Sequence, residues 1–160
     1  MAADEASHMI SWNIKDGRYP KGRPATAAVS LSRKRFYSYG ALKSGVFHCR
    51  FYDKNNTDSF IDFLAGLRSR FGRVLLFVDN ATYHKSARLK ERLAEWDGDV
   101  LIRYHPPYTP DLNPVEVQWD IIKKAAANVL YGSTDAMKSV RRMLRTKEVG
   151  VAEMSHYLLG

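Results

Sequence analysis

Val74-Leu75-Leu76-Phe77-Val78 is an unbroken apolar run closed by Asp79, and it constrains this fold more than any other stretch. The run is too short for a buried helix and reads as a central strand covered on both faces of a sheet. A helix is predicted over residues 83–96, with Leu89, Leu93 and Trp96 pointing inward and Gly98 stopping it. Residues 100–104 then alternate, with Val100, Ile102 and Tyr104 on one face, as a second strand does. A strand–helix–strand unit of this kind closes as a right-handed parallel crossover. Asp79 therefore falls at the carboxyl end of a buried strand, the edge at which open α/β sheets bind their ligands.

Around this unit the chain reads as strands first and helices later. Residues 25–32 are small and β-branched, and residues 35–42 and 46–52 are aromatic-rich, with Gly40 and Ser44-Gly45 as turn formers. Residues 15–22 form a basic, glycine-containing loop. A helix starts from a cap at Asn56 or Thr57 and turns Phe60, Phe63, Leu64, Leu67 and Phe71 to one side. Beyond the second strand comes a rigid turn, His105-Pro106-Pro107-Tyr108-Thr109-Pro110-Asp111. It delivers a helix with Asn113 as cap and Pro114 in the first position, whose inward residues are Val115, Trp119, Ile122, Ala126 and Val129. Ser133 or Thr134 caps a last, basic helix with Arg141, Arg142 and Arg145. The order predicts an α/β fold, a mixed sheet flanked by helices. At 160 residues without repeats or linkers, residues 1–160 read as one domain.

Charge narrows the partners. A net charge of +8 favours polyanions, because each phosphate contact releases condensed counterions. No apolar stretch approaches the roughly 20 residues that span a bilayer. The acidic start, Met1-Ala2-Ala3-Asp4-Glu5, has no signal-peptide core. The single Cys49 cannot make an internal disulfide, which suits a reducing interior. The expectation is a cytoplasmic, nucleoid-associated protein with no membrane partner.

The chemistry rests on carboxylates. The two parallel strands end on one sheet edge, and the proline-rich turn brings Glu116 there beside Asp79; Asp4 is the third acid available. Convergent carboxylates without a cysteine or histidine cluster suit Mg²⁺ or Mn²⁺, and a two-ion site can cleave a phosphodiester. Each acid also has a plain structural reading. Glu116 stands where a capping-box carboxylate would, Asp79 can close a turn, and Asp4-Glu5 can be solvated terminal residues. Asp120 lies one helical turn beyond Glu116 as a reserve ligand, and His84 is either a packing residue or one that steers a phosphate or water.

Val78-Asp79-Asn80-Ala81-Thr82-Tyr83-His84, followed by residues 106–119 with Asn113-Pro114-Val115-Glu116-Val117-Gln118-Trp119 and by Lys123, resembles the mariner-type DDE transposases, in particular their prokaryotic insertion-sequence branch. The resemblance implies a ribonuclease-H-like fold with a five-stranded sheet. It implies a metal-binding catalytic triad that maps to Asp4, Asp79 and Glu116, and a homodimeric assembly on double-stranded DNA. In the family a first strand precedes the first acid, and helix-turn-helix modules precede the domain. With only Met1-Ala2-Ala3 ahead of Asp4, that strand is expected to be truncated and those modules missing. Asn80, His84, Lys85, Arg88, Lys123 and Lys124 are expected to contact phosphate or DNA, with Arg141, Arg142 and Arg145 extending the track. Two rival readings are an inactive DNA-binding remnant and a ribonuclease-H-like nuclease that joins no strands.

Overall fold

A computed structural model describes residues 1–9, 21–22, 32–106, 113–125, 133–135 and 138. They form one mixed five-stranded sheet in the order β3-β2-β1-β4-β5. Strands β1 (Ala2–Met9), β2 (Arg35–Lys43) and β3 (Val46–Tyr52) run antiparallel. Strands β4 (Val74–Val78) and β5 (Val100–Tyr104) are parallel to each other, and β4 is parallel to β1. Helix α1 (Thr57–Phe71) connects β3 to β4, α2 (Ala87–Glu95) crosses from β4 to β5, and α3 (Pro114–Ala125) follows β5.

The sequence reading expects a truncated first strand at Asp4; β1 runs eight residues, most of them after Asp4. It pairs with β2 from Ala2↔Leu42 to Met9↔Arg35. Its Ala-Ala-Asp-Glu-Ala-Ser-His-Met sequence has little β propensity. Its small residues leave room for bulky neighbours, so tertiary pairing makes the strand. The strand expected at residues 25–32 lies outside the described residues apart from Ser32, as do the helix residues Ala126, Val129, Arg141, Arg142 and Arg145 and the turn residues 107–112.

Alternation along β1 divides the core. Ala3 faces α1 and shares a cluster with Tyr39, Phe60, Phe63, Leu64, Leu67, Leu76 and Leu89. Ala6 faces α3 and shares a second cluster with Leu42, Val115, Trp119 and Ile122. Each fully buried leucine or phenylalanine contributes roughly 1.5–3 kcal/mol. Helix α1 starts where Asn56 Oδ1 accepts the Ser59 amide at 3.0 Å. The apolar run predicts cover on both faces of β4; among the described residues the two faces differ. Leu76 and Val78 are buried under α1, whereas Leu75 and Phe77 are each 41% exposed. Among the described residues α3 packs chiefly over β1 and β2. The helix expected over residues 83–96 is also divided. A 3₁₀ turn, Thr82–Lys85, comes first, and Ser86 then caps α2 by accepting the Leu89 amide. Among the described residues no helix is long and apolar enough to cross a membrane.

Candidate active site

The register of the parallel strands sets the site. Ala2 lies beside Phe77, so two residues further on Asp4 draws level with Asp79, just past the end of β4. On one side of this point the chain continues from β1 into β2, and on the other lies β4. This is the switch point at which doubly wound sheets open a crevice. The β4 and β5 ends are tied together: the His105 amide donates to Val78 O at 2.9 Å, and Asn80 Nδ2 donates to His105 O at 2.8 Å.

Asp4 points to the α3 face of the sheet, because it shares the parity of Ala2 and Ala6. Burial, and then the charges of Glu5, Glu116 and Asp79, push its carboxyl up to about 7, against a hydrogen bond from the Glu5 amide. The fields of Glu116 and Asp79 thus reach Asp4 from two other elements. The oxygens of Asp4, Asp79 and Glu116 do not all lie within 4.8 Å of one another. Among the described residues the group that does is Glu5, Asp79 and His84. Glu116 is exposed in the first turn of α3, where Asn113 Oδ1 accepts the Val115 amide at 3.2 Å.

Asp79 is held from behind. Its Oδ1 accepts the Ala81 amide and lies 2.9 Å from His84 Nδ1. The hydrogen bond from His84 holds Asp79 below the usual carboxylate range, although burial opposes this; the Ala81 amide assists. The other nitrogen of His84, Nε2, lies 2.9 Å from Glu5 Oε1. Burial works against a charge on His84, but hydrogen bonds with Asp79 and then Glu5 carry its pKa up to about 9. The imidazole is 1% exposed. It therefore cannot meet a phosphate directly, as the sequence reading allows.

Glu5 is the residue that sequence reasoning passes over. It projects to the face opposite Asp4, where Tyr39 and Tyr83 adjoin it; burial, then its charge, raises the pKa of both phenols. The signal available is simple. Adjacent acids on a strand point to opposite faces, so Asp4 and Glu5 need separate partners.

The cations expected on DNA occupy varied positions. Lys85 donates to Asn80 Oδ1 at 2.8 Å and lies 5.0 Å from the Tyr104 ring centroid. Asn80 is thus engaged on both sides. Arg88 is paired with Asp58 at 2.9 Å, and Lys124 is paired with Asp120, the reserve ligand. Lys123 is half-buried on α3.

Comparison with solved structures gives the class. The chain superposes on the Mos1 strand transfer complex with a TM-score of 0.67 and 20% identity, covering 91% of this chain and 47% of that one. For the Mos1 transposase catalytic domain with Raltegravir and Mn the values are 0.64 and 15%, over 91% of this chain and 70% of that one. For the catalytic core domain of BIV integrase they are 0.51 and 15%, over 79% and 86%. The fold is ribonuclease-H-like, as in transposase and integrase catalytic cores, and the chain spans about half the length of the Mos1 chain in the strand transfer complex. The chain matches the DDE superfamily endonuclease family over residues 2–138 and belongs to it. A sequence search of curated proteins finds no match.

Proposed function

We propose that residues 1–160 form the catalytic domain of a transposase of the mariner type, from the prokaryotic insertion-sequence branch, with Asp4, Asp79 and Glu116 as its catalytic acids. The observation that carries this reading is the register that sets Asp4 of β1 level with Asp79 past the end of β4, with the charges of Glu116 and Asp79 both reaching the Asp4 carboxyl. A buried acid facing other acids across a sheet edge calls for a counter-charge. Hard oxygen donors with no thiolate suit Mg²⁺ or Mn²⁺, so the residues present fit a pair of such ions. When bound, they supply activation of a water or 3′-hydroxyl and charge neutralisation at the leaving oxygen.

The chain's own contribution is placement. Asp4 comes from β1, Asp79 from the end of β4 and Glu116 from α3, so three elements must be packed together before the site exists. In the reaction, water oxygen attacks phosphorus at the transposon end and the P–O bond to the 3′ oxygen breaks, releasing a 3′-hydroxyl. That hydroxyl attacks a phosphodiester of target DNA, and the target's own 3′ oxygen leaves with the proton. A homodimer would hold two ends of double-stranded DNA. The similar Mos1 transposase paired-end complex with its left transposon end supports that partner.

The test uses labelled duplex DNA carrying an element end, with supercoiled plasmid as target. Wild type with Mg²⁺ or Mn²⁺ should nick and join, and Asp79→Ala and Glu116→Ala should do neither. Cutting that survives both substitutions overturns the reading. Cutting without joining points to a ribonuclease-H-like nuclease instead, and DNA binding without cutting points to an inactive remnant.

A further inference from the structure

Three side chains from three segments meet in a line behind the catalytic edge: Glu5 on β1, His84 in the 3₁₀ turn and Asp79 at the end of β4. Their ligand atoms lie within 4.8 Å of one another, which by distance alone resembles a metal site. The geometry argues otherwise. His84 meets Asp79 through Nδ1 and Glu5 through Nε2, each at 2.9 Å. Each ring nitrogen faces a different carboxylate, so the imidazole is engaged on both sides by hydrogen bonding. Separations of 2.9 Å are those of charge-assisted hydrogen bonds.

The imidazole is also immobilised. Its ring centroid lies 4.2 Å from that of Phe60 and 4.4 Å from that of Tyr83, and the Tyr104 hydroxyl donates to the His84 carbonyl at 2.7 Å. The Glu5 and His84 side chains are 9% and 1% exposed, whereas Asp79 is 56% exposed. The buried end is an anchor and the open end faces solvent. Among the described residues every hydrogen bond to the Asp79 carboxylate goes to Oδ1.

Resting on the proposed role of Asp79 as a metal-binding acid, we infer that Glu5 and His84 are positioning residues for it. Glu5 fixes the His84 ring, and His84 together with the Ala81 amide fixes Asp79 Oδ1, so that Oδ2 is presented at the catalytic edge in one orientation. Partners of this kind orient a ligand carboxylate without touching the ion, and losing one weakens metal affinity about 10–100-fold.

Two substitutions separate positioning from mere packing. In His84→Asn the amide nitrogen replaces Nδ1, which faces Asp79. In His84→Gln it replaces Nε2, which faces Glu5. Mn²⁺ binding is measured by calorimetry on wild type, both variants, Glu5→Gln and Asp79→Ala, with thermal melting of each in EDTA. His84→Gln should lose about 10–100-fold in Mn²⁺ affinity. His84→Asn should stay much closer to wild type, although both variants melt early. Glu5→Gln keeps the volume and an acceptor oxygen, and should weaken binding less than His84→Gln while folding normally. If the two His84 variants lose affinity equally, or neither does, the inference is overturned. If the His84 variants do not fold, Glu5→Gln binding Mn²⁺ as wild type does overturns it. If wild type binds no Mn²⁺, or Asp79→Ala binds as well as wild type, the metal-binding reading of Asp79 fails first and this inference with it.

Discussion

Trp119 of α3 lies so close to Gly40 of β2 that a Cβ built on the glycine would stand 2.5 Å from Trp119 Cζ2. Gly40 pairs across the sheet with Asp4, and Trp119 shares α3 with Glu116. The missing side chain therefore sets how near the helix that carries Glu116 approaches the strand paired with Asp4.

Gly40→Ala should push α3 outward and carry Glu116 with it. Overpacking of this kind costs about 1–3 kcal/mol. The melting temperature should drop by several degrees, and Mn²⁺ affinity should fall too. Gly66→Ala is the control. A Cβ there meets the guanidinium of Arg50, whose side chain is 51% exposed and free to swing away. Alanine is favoured over glycine in a helix interior by roughly 0.5–1 kcal/mol, so this variant should melt no lower than wild type. Equal loss of metal affinity in both variants would separate Gly40 from the site.

Asp4→Asn should stabilise the metal-free protein while removing its response to metal. The carboxyl rises to about 7 because ionising it inside the protein is unfavourable. An uncharged isostere should raise stability at pH 8 by on the order of a few kcal/mol, each pKa unit being about 1.4 kcal/mol. Calorimetric melting in EDTA and in Mg²⁺ gives both quantities. A variant that melts below wild type in EDTA contradicts a strained carboxylate at this position.

Both large shifts in the site act in one direction with pH. The folded pKa of Asp4 is raised from 3.8 to about 7 and that of His84 from 6.5 to about 9. In each case the folded state binds its proton more tightly than the unfolded chain, so stability declines as pH climbs between the two values. For Asp4 the decline runs from about pH 4 to 7, and for His84 from about 6.5 to 9. Denaturant midpoints of the metal-free protein should fall across this range. His84→Gln should remove the upper part of the slope and Asp4→Asn the lower part. A flat profile between pH 7 and 9 would mean that His84 carries no extra proton in the fold.

Sequence and structure agree where local chemistry decides. The apolar run of β4, the Asn56 cap and the Asn113-Pro114 helix start each show their element in a few adjacent residues. Asp79 falls just past the end of β4 and Glu116 in the first turn of α3, where the sequence places them. What could not be read comes from contacts distant in sequence. Strand β1 forms because β2 pairs with it along its length. His84 meets Glu5 across 79 residues, so its role in a buried ion pair is invisible in the chain order. The same holds for β4. Its residues are apolar throughout, and only the packing of the described residues shows that Leu76 and Val78 are buried while Leu75 and Phe77 are more exposed.

Lysines flanking the acids should bind DNA through phosphate, and their pairing in the fold predicts how strongly each contributes. Lys85 closes the 3₁₀ turn that follows Asp79, exposed, anchored by Asn80 and the Tyr104 ring rather than neutralised by a carboxylate. Arg88 and Lys124 already have carboxylate partners in Asp58 and Asp120, which a phosphate would have to displace. Lys85→Glu should therefore weaken binding more than Arg88→Glu or Lys124→Glu. Removing one lysine–phosphate pair should flatten the slope of log affinity against log salt by about 0.9. Phosphate binding carries no sequence information directly, so Lys85→Glu and Lys123→Glu should weaken complexes with an element end and with random duplex to the same extent. Fluorescence anisotropy on the two duplexes across a salt series measures all of this. A Lys85 variant with an unchanged salt slope would remove that lysine from the DNA path. A loss confined to the element end would mean that this surface reads bases instead of backbone.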